Sequence, residues 1–488
     1  MHTTRRVFYH ILLAASCAVS LSSVVAIADS GEQLSTLKDQ KSIAVTIYNS
    51  DLALIKDVRH IVLASGDFNL AWRDVSALMR PETALLRSVN HPGSIAIVEQ
   101  NFNFDLLTPQ NLLKKYVGQT VSIVKINPAT GVESKESAIV LAAGEGVVLK
   151  MADRIETGMP GRITFENVPG NLRDRPTLVI EGIHNGHAAQ ELELSYLTGG
   201  LSWKADYVAE LNDADDKLDL SGWVTLTNTS GTHYPNAKLQ LVAGDVHRVQ
   251  QEFAAPVAQR AKLAAAAVAE PMRQESLMDY HLYSLERLAT IAENQTKQVA
   301  LLNATGVPAR KELVLAGSDY YYVSSYGDLG QKLKVNVWVQ FDNKASAHLG
   351  MPLPKGILRA YKRDKAGNAQ FVGEDQIDHI PKNEPVRVKL GQSFDVTANK
   401  KQTDFKQLSA GNTSNSGTNR FESAYEITLK NAKKETATVT VQEPIPGDWK
   451  IVEESHPHDK PASNTALWKM DVPAEGSATL KYRVQVKF

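Results

Sequence analysis

The 488-residue sequence carries one cysteine, Cys17. It falls inside an amino-terminal apolar stretch, so the chain beyond that stretch has no thiol. Disulfides are thereby excluded, and every folded unit must be held by its own packed core. Charge of one sign is also missing, with 53 Lys and Arg against 54 Asp and Glu. That balance provides no electrostatic footprint for nucleic acid and no polybasic membrane patch. Beyond the amino-terminal stretch, no apolar run is long enough to form a transmembrane helix. Catalytic templates are absent too. There is no G-x-x-x-x-G-K-[ST] phosphate loop, no H-E-x-x-H zinc helix and no G-x-S-x-G elbow. Two S-x-x-K matches occur, Ser35 to Lys38 and Ser122 to Lys125. The second lies on a strand pattern, where i and i+3 side chains face opposite sides and cannot share a proton. The first lies just past the leader, where no pocket is expected.

What is present begins with a three-part leader. Arg5 and Arg6 precede an apolar stretch from Val7 to Val25, and Ala26-Ile27-Ala28 supplies the small-x-small pattern of a cleavage site. Residues 1–28 read as a signal peptide, which implies an exported protein of the periplasm or cell envelope. Alternation of period two then recurs along the chain, the mark of strands with one buried face. Ile43, Val45 and Ile47 begin it; Leu333, Val335, Val337, Val339 and Phe341 repeat it; Leu480, Tyr482, Val484 and Val486 close it. Turn chemistry such as Asn49-Ser50-Asp51 and Pro446-Gly447-Asp448 separates the runs.

The expected fold is all-β: several β-sandwiches with a small inserted β-barrel and an alanine-rich helical or disordered insertion. An amino-terminal β domain is expected over 41–198, with the barrel at about 117–169. A middle sandwich over 199–345 would hold the alanine-rich segment at 251–278, and a C-terminal sandwich would cover 346–488. Helical signal is sparse, with Thr108-Pro109 reading as an N-cap and first helical residue.

Two histidine groups have some metal-ligating character: His184, His187 and nearby Glu191, and the pair His456 and His458. Zinc catalysis needs three ligands, an open position and a base, and neither group supplies that set locally. The expectation is therefore no metal and no cofactor. Tyr320, Tyr321, Tyr322 and Tyr326 lie beside Gly327 and Asp328. Exposed tyrosines next to glycine suit carbohydrate stacking or protein contact, whereas a strand would alternate them between core and rim. The terminal Phe488 strand resembles the closing strand of an outer-membrane barrel, but nothing repeats at barrel spacing.

The strings Tyr196-Leu-Thr-Gly-Gly-Leu-Ser-Trp203, Gly222-Trp223-Val-Thr-Leu-Thr-Asn228, Leu239-Gln-Leu-Val-Ala-Gly-Asp245 and Pro444-Ile-Pro-Gly-Asp-Trp449 resemble the bacterial domain-of-unknown-function 4139 family. Its distant relatives include the mucoidy inhibitor A proteins. The resemblance implies an all-β build and the envelope of a Gram-negative bacterium, and it brings no catalytic residues. The leading expectation is a non-enzymatic binding or structural module acting on an envelope protein or a surface polysaccharide. The alternatives are a hydrolase or metal-dependent enzyme with a site assembled from distant residues, and an outer-membrane-associated β protein.

Overall fold

The computed structural model describes residues 31–49, 51–169, 172–186, 188–244, 272–409 and 419–488. The leader at 1–28 and residues 251–271 of the alanine-rich segment lie outside the described residues. Within them the chain is all-β, with thirty strands and one α-helix of seven residues. The alternation noted in the sequence becomes burial directly. On the last strand, Ser477–Lys487, Leu480, Tyr482, Val484 and Val486 face inward while Lys481 and Gln485 face water.

The strands form four sheets. A four-stranded sheet joins Gln33–Ser35, Gly66–Arg73, Thr177–His184 and Ile95–Asn103. An eight-stranded sheet places Tyr234–Ala243 parallel to Gln40–Tyr48, which in turn pairs with Leu52–Val62 and through it with Ala189–Thr198. One core runs through these and the thirteen-stranded sheet, from Ile43 to Val388. The divisions expected at 198/199 and 345/346 therefore fall inside continuous packing. Residues 273–277, expected to belong to the alanine-rich insertion, form a strand instead. It turns back on Tyr280–Ser284 through Met278, at φ 53°.

The inserted unit is a five-stranded antiparallel sheet with its own small core. The helix Pro109–Lys115 contributes Leu113, and Thr108 caps it by accepting from the Asn111 N–H at 3.1 Å. The expected barrel does not close. The outermost strands, Ile155–Thr157 and Arg162–Thr164, each pair on one side only, and Pro160 between them has no N–H to donate. Two three-residue strands leave little ladder with which to close a cylinder.

The largest sheet has thirteen strands and passes through two cores. Three long strands cross between them: Gln295–Ala316, Asp328–Asp342 and Pro385–Ser409. On the first, Val299 and Val307 lie in one core while Leu313 and Leu315 lie in the other. Val339 and Phe341 against Val335, and Val386 and Val388 against Val396 and Ala398, divide in the same way. At the crossing the third strand steps outward. Gln392 faces Asn336 while Thr397 already faces Lys334, so the intervening bulge re-aims the side chains that follow.

One buried polar knot ties the first two sheets. Arg59 and Asp57 are almost fully buried, with Arg59 Nε donating to Asp57 Oδ2 at 2.9 Å. Trp72 Nε1 donates to the same oxygen at 2.9 Å, and Gln40 donates to Asp57 Oδ1 at 2.8 Å. The guanidinium also reaches the Ser35 and Arg73 carbonyls at 3.0 and 2.7 Å and lies over the Trp72 ring at 4.5 Å. Removing one partner strands a buried charge. Arg59→Ala should lower stability by about 3–5 kcal/mol, readable as a shifted urea midpoint. A midpoint equal to that of the parent would show that the knot contributes nothing.

Candidate functional site

The four tyrosines singled out in the sequence divide into two kinds. After Gly317 the chain makes a 3-10 turn over Tyr320–Tyr322. Tyr321 and Tyr322 are buried, whereas Tyr320 and Tyr326 are 52% and 45% exposed. The buried pair closes over an ion pair inside the second core. Lys400 Nζ lies 2.6 Å from both carboxylate oxygens of Glu443, and both side chains are nearly inaccessible. Tyr321 donates its hydroxyl to Glu443 Oε2 and accepts from Lys400 Nζ at 2.5 Å. Tyr322 donates to the same carboxylate at 2.8 Å and meets the Tyr482 hydroxyl at 3.1 Å. Lys400 also lies over the Tyr321 ring at 3.9 Å. A Cβ on Gly317 would come within 2.5 Å of Glu443 Oε2 and would force the carboxylate to shift.

Burial sets the electrostatics. Desolvation lowers the Lys400 ammonium below its ordinary pKa, against the pull of Glu443. Burial first, and the neighbouring Glu443 charge second, raise the Tyr321, Tyr322 and Tyr482 phenols. Tyr425 is raised mainly by burial.

Above this core the sheet surface opens into a cleft of roughly 440 Å³, lined by Gly327, Asp328, Gln331, Asn399, Lys401, Gln402, Glu426 and Thr428, with Lys400 at its base. The polar side chains are held in place. Gln402 accepts from the Tyr326 N–H at 2.7 Å and donates to the Ser324 carbonyl at 3.0 Å. Asn399 accepts from the Lys332 N–H at 2.9 Å, and Asp328 accepts from the Gly330 N–H at 2.9 Å. Glu426 bridges Lys401 and Lys481 at 2.6 and 3.2 Å, and hydrogen bonds from these lysines hold its carboxyl below the usual range. A second cavity of roughly 360 Å³ lies across Glu426, between Glu453, Ser455, Lys481 and Arg483. Tyr326 adjoins the first cleft through Gly327, and its ring meets that of Tyr320 edge to face at 5.3 Å.

A model of a domain of unknown function, DUF4139, matches residues 192–488. That is more than half of the chain. The protein belongs to the DUF4139 family. No curated protein matches it. The cleft, the buried pair and all four tyrosines lie in the DUF4139 segment. Its glycine-rich string is structural here: Gly200, at φ +78°, donates its N–H to Asp51 Oδ1 at 2.8 Å, and a Cβ there would meet Ser230 backbone at 2.6 Å. Asn228 likewise spends its amide on the Thr232 and Ala292 carbonyls, at 2.9 and 3.0 Å.

Among the described residues the histidine candidates do not come together. His184 is fully buried, with one ring nitrogen 3.0 Å from the Ala64 carbonyl and the other 2.8 Å from the Gln190 amide. His187 lies outside the described residues, and Glu191 sits on the Ala189–Thr198 strand opposite His60. His458 bonds Glu454 at 2.9 Å and sits between Trp449 and Trp468, while His456 meets the Ser455 hydroxyl at 2.9 Å. No group of three or more metal-ligating side chains forms among the described residues.

Sequence reasoning missed Lys400 and Glu443. Their signal was parity. Lys400 continues the inward series Val396 and Ala398, and Glu443 continues Val439 and Val441. A charge at an apolar-facing position implies a buried partner. Glu443→Gln should cost about 3–5 kcal/mol near neutrality. The loss should shrink as pH rises and Lys400 sheds its proton; a pH-independent loss in urea titrations would contradict this. The tyrosines dictate the alkaline limit of the parent. Above pH about 10 the unfolded phenols ionise while Tyr321, Tyr322, Tyr425 and Tyr482 stay protonated in the fold. Stability should therefore fall by about 1.4 kcal/mol per pH unit for each. Lys400 carries the contrary sign only below the ordinary lysine pKa of about 10.5, where the unfolded side chain still holds its proton, so it does not offset the tyrosines at higher pH. Phenolate absorbance should appear cooperatively with unfolding, and smooth titration of every tyrosine in the native protein would refute it.

Proposed function

We propose that this DUF4139 protein is a non-enzymatic binding module of the bacterial envelope that holds a surface glycan on the exposed Tyr320 and Tyr326 and in the polar cleft that begins at the next residue, Gly327. One observation carries the reading: two tyrosines locked in the core present two others, exposed and mutually packed, beside a cleft of oriented polar groups. Sugar rings offer C–H faces that stack on aromatic rings, and hydroxyls that pair with amides and carboxylates. Tyrosine supplies such contact at low entropic cost. The fixed partners of Gln402, Asn399 and Asp328 support preorganisation, which lowers the cost of binding. The lysines and glutamates around the cleft are paired with one another, and this favours binding over turnover. The three-part leader supports export to the envelope.

Affinity chromatography and calorimetry with purified envelope polysaccharides test the reading. Tyr320→Ala with Tyr326→Ala should weaken binding by about tenfold or more, on the scale of one or two lost stacking contacts, and leave the melting temperature unchanged. Equal retention of glycan by the double variant would refute it. So would in-cell crosslinks that join the cleft only to another protein.

A further inference from the structure

A second groove lies where the three long strands pass from one core to the other, and it shares no lining residue with the tyrosine cleft. Its volume is roughly 730 Å³. Cross-strand register sets Arg310, Gln340 and Arg387 in one row over three strands. Side chains in such a row share a face of the sheet. In the next row Glu312 stands between the two arginines. Arg310 Nε donates to its Oε1 at 3.1 Å and Arg387 Nε donates to its Oε2 at 3.0 Å. One carboxylate therefore serves two guanidiniums, and the terminal nitrogens of Arg310, 63% exposed, make no bond among the described residues. Arg387 is steadied over the Trp338 ring at 4.5 Å. Across the neighbouring strands Lys469, exposed and without an ion pair among the described residues, adds a third cation. Lys311 also lines the groove, but Asp215 holds it at 2.6 Å.

We infer that this groove binds an acidic polysaccharide through its carboxylates. The Glu312 carboxylate already shows that a planar carboxylate fits between Arg310 and Arg387, the geometry guanidinium forks favour. Thr440 and Gln442 offer hydroxyl and amide partners to sugar hydroxyls, while Pro461 and Leu467 give an apolar patch for a ring face. An acidic peptide fits less well. The Gln295–Ala316 strand pairs with Asp328–Asp342 from Ala309 to Val314 and with Ala437–Pro444 from Leu313 onward, so the main-chain edge left at Arg310–Glu312 is too short for a peptide to add as a strand.

The test is calorimetric binding of polygalacturonate to the full chain at low and physiological salt, with neutral dextran, dextran sulfate and polyglutamate as comparisons. Polygalacturonate should bind, weaken as salt rises, and exceed all three comparisons. Arg310→Ala with Arg387→Ala should reduce affinity about tenfold or more, the scale of one or two charge-assisted bonds. Glu312→Gln, which releases both guanidiniums, should increase it and serves if the double variant folds poorly. Tyr320→Ala with Tyr326→Ala should leave it unchanged, which separates this groove from the tyrosine cleft. Absence of polygalacturonate binding, indifference to Glu312→Gln, or equal affinity for dextran sulfate or polyglutamate would overturn the inference.

Discussion

Three strands shared between two cores are the constraint on which the rest of the molecule depends. Each contributes apolar side chains first to one core and then to the other, so neither core can shift without straining a ladder of backbone hydrogen bonds. A linker between sandwiches would have left the two halves free to move against one another. Here the connection is the sheet itself. Both candidate ligand surfaces follow from that continuity. The groove around Arg310 and Arg387 lies where one core ends and the next begins. The tyrosine cleft exists because Pro385–Ser409 runs on far enough to bury Lys400 and Gln402.

Two buried polar centres do different work. The Arg59–Asp57–Trp72 knot joins an edge strand and two sheets at the amino-terminal end, with its hydrogen-bonding capacity spent on fixed partners. The Lys400–Glu443 pair pins a turn. It holds Tyr321 and Tyr322 inward and so dictates where Tyr320 and Tyr326 emerge. Replacing a buried pair by well-packed apolar residues is often neutral or stabilising. Lys400 and Glu443 therefore act through placement: they orient a surface more than they add stability.

Much of the fold was legible locally because a strand with one wet face must alternate and a helix needs a cap. The Ser477–Lys487 strand and the Thr108 cap were read from a few neighbouring residues. Sheet closure was not legible. Whether Ile155–Thr157 meets Arg162–Thr164 depends on the path of the chain around Pro160, and apolar spacing carries no information about it. The extent of a core was equally hidden, since Tyr234–Ala243 joins Gln40–Tyr48 across almost two hundred residues. At the site, residue type marked the tyrosines, but spacing could not divide them: Tyr321 and Tyr322 are adjacent and both buried, against strand alternation, because a 3-10 turn intervenes.

Taken alone, the chain's residues determined a charge-balanced all-β protein with a single cysteine, short turns and a membership legible from strings such as Tyr196-Leu-Thr-Gly-Gly-Leu-Ser-Trp203. These are properties of neighbours a few positions apart, where backbone sterics and side-chain parity act. Tertiary structure alone decided that Lys400 meets Glu443, that Arg310 and Arg387 share Glu312, and that two tyrosines of four face water. Those outcomes turn on strand register between distant segments, which sums many small packing terms over whole sheets and is written in no single stretch of the chain.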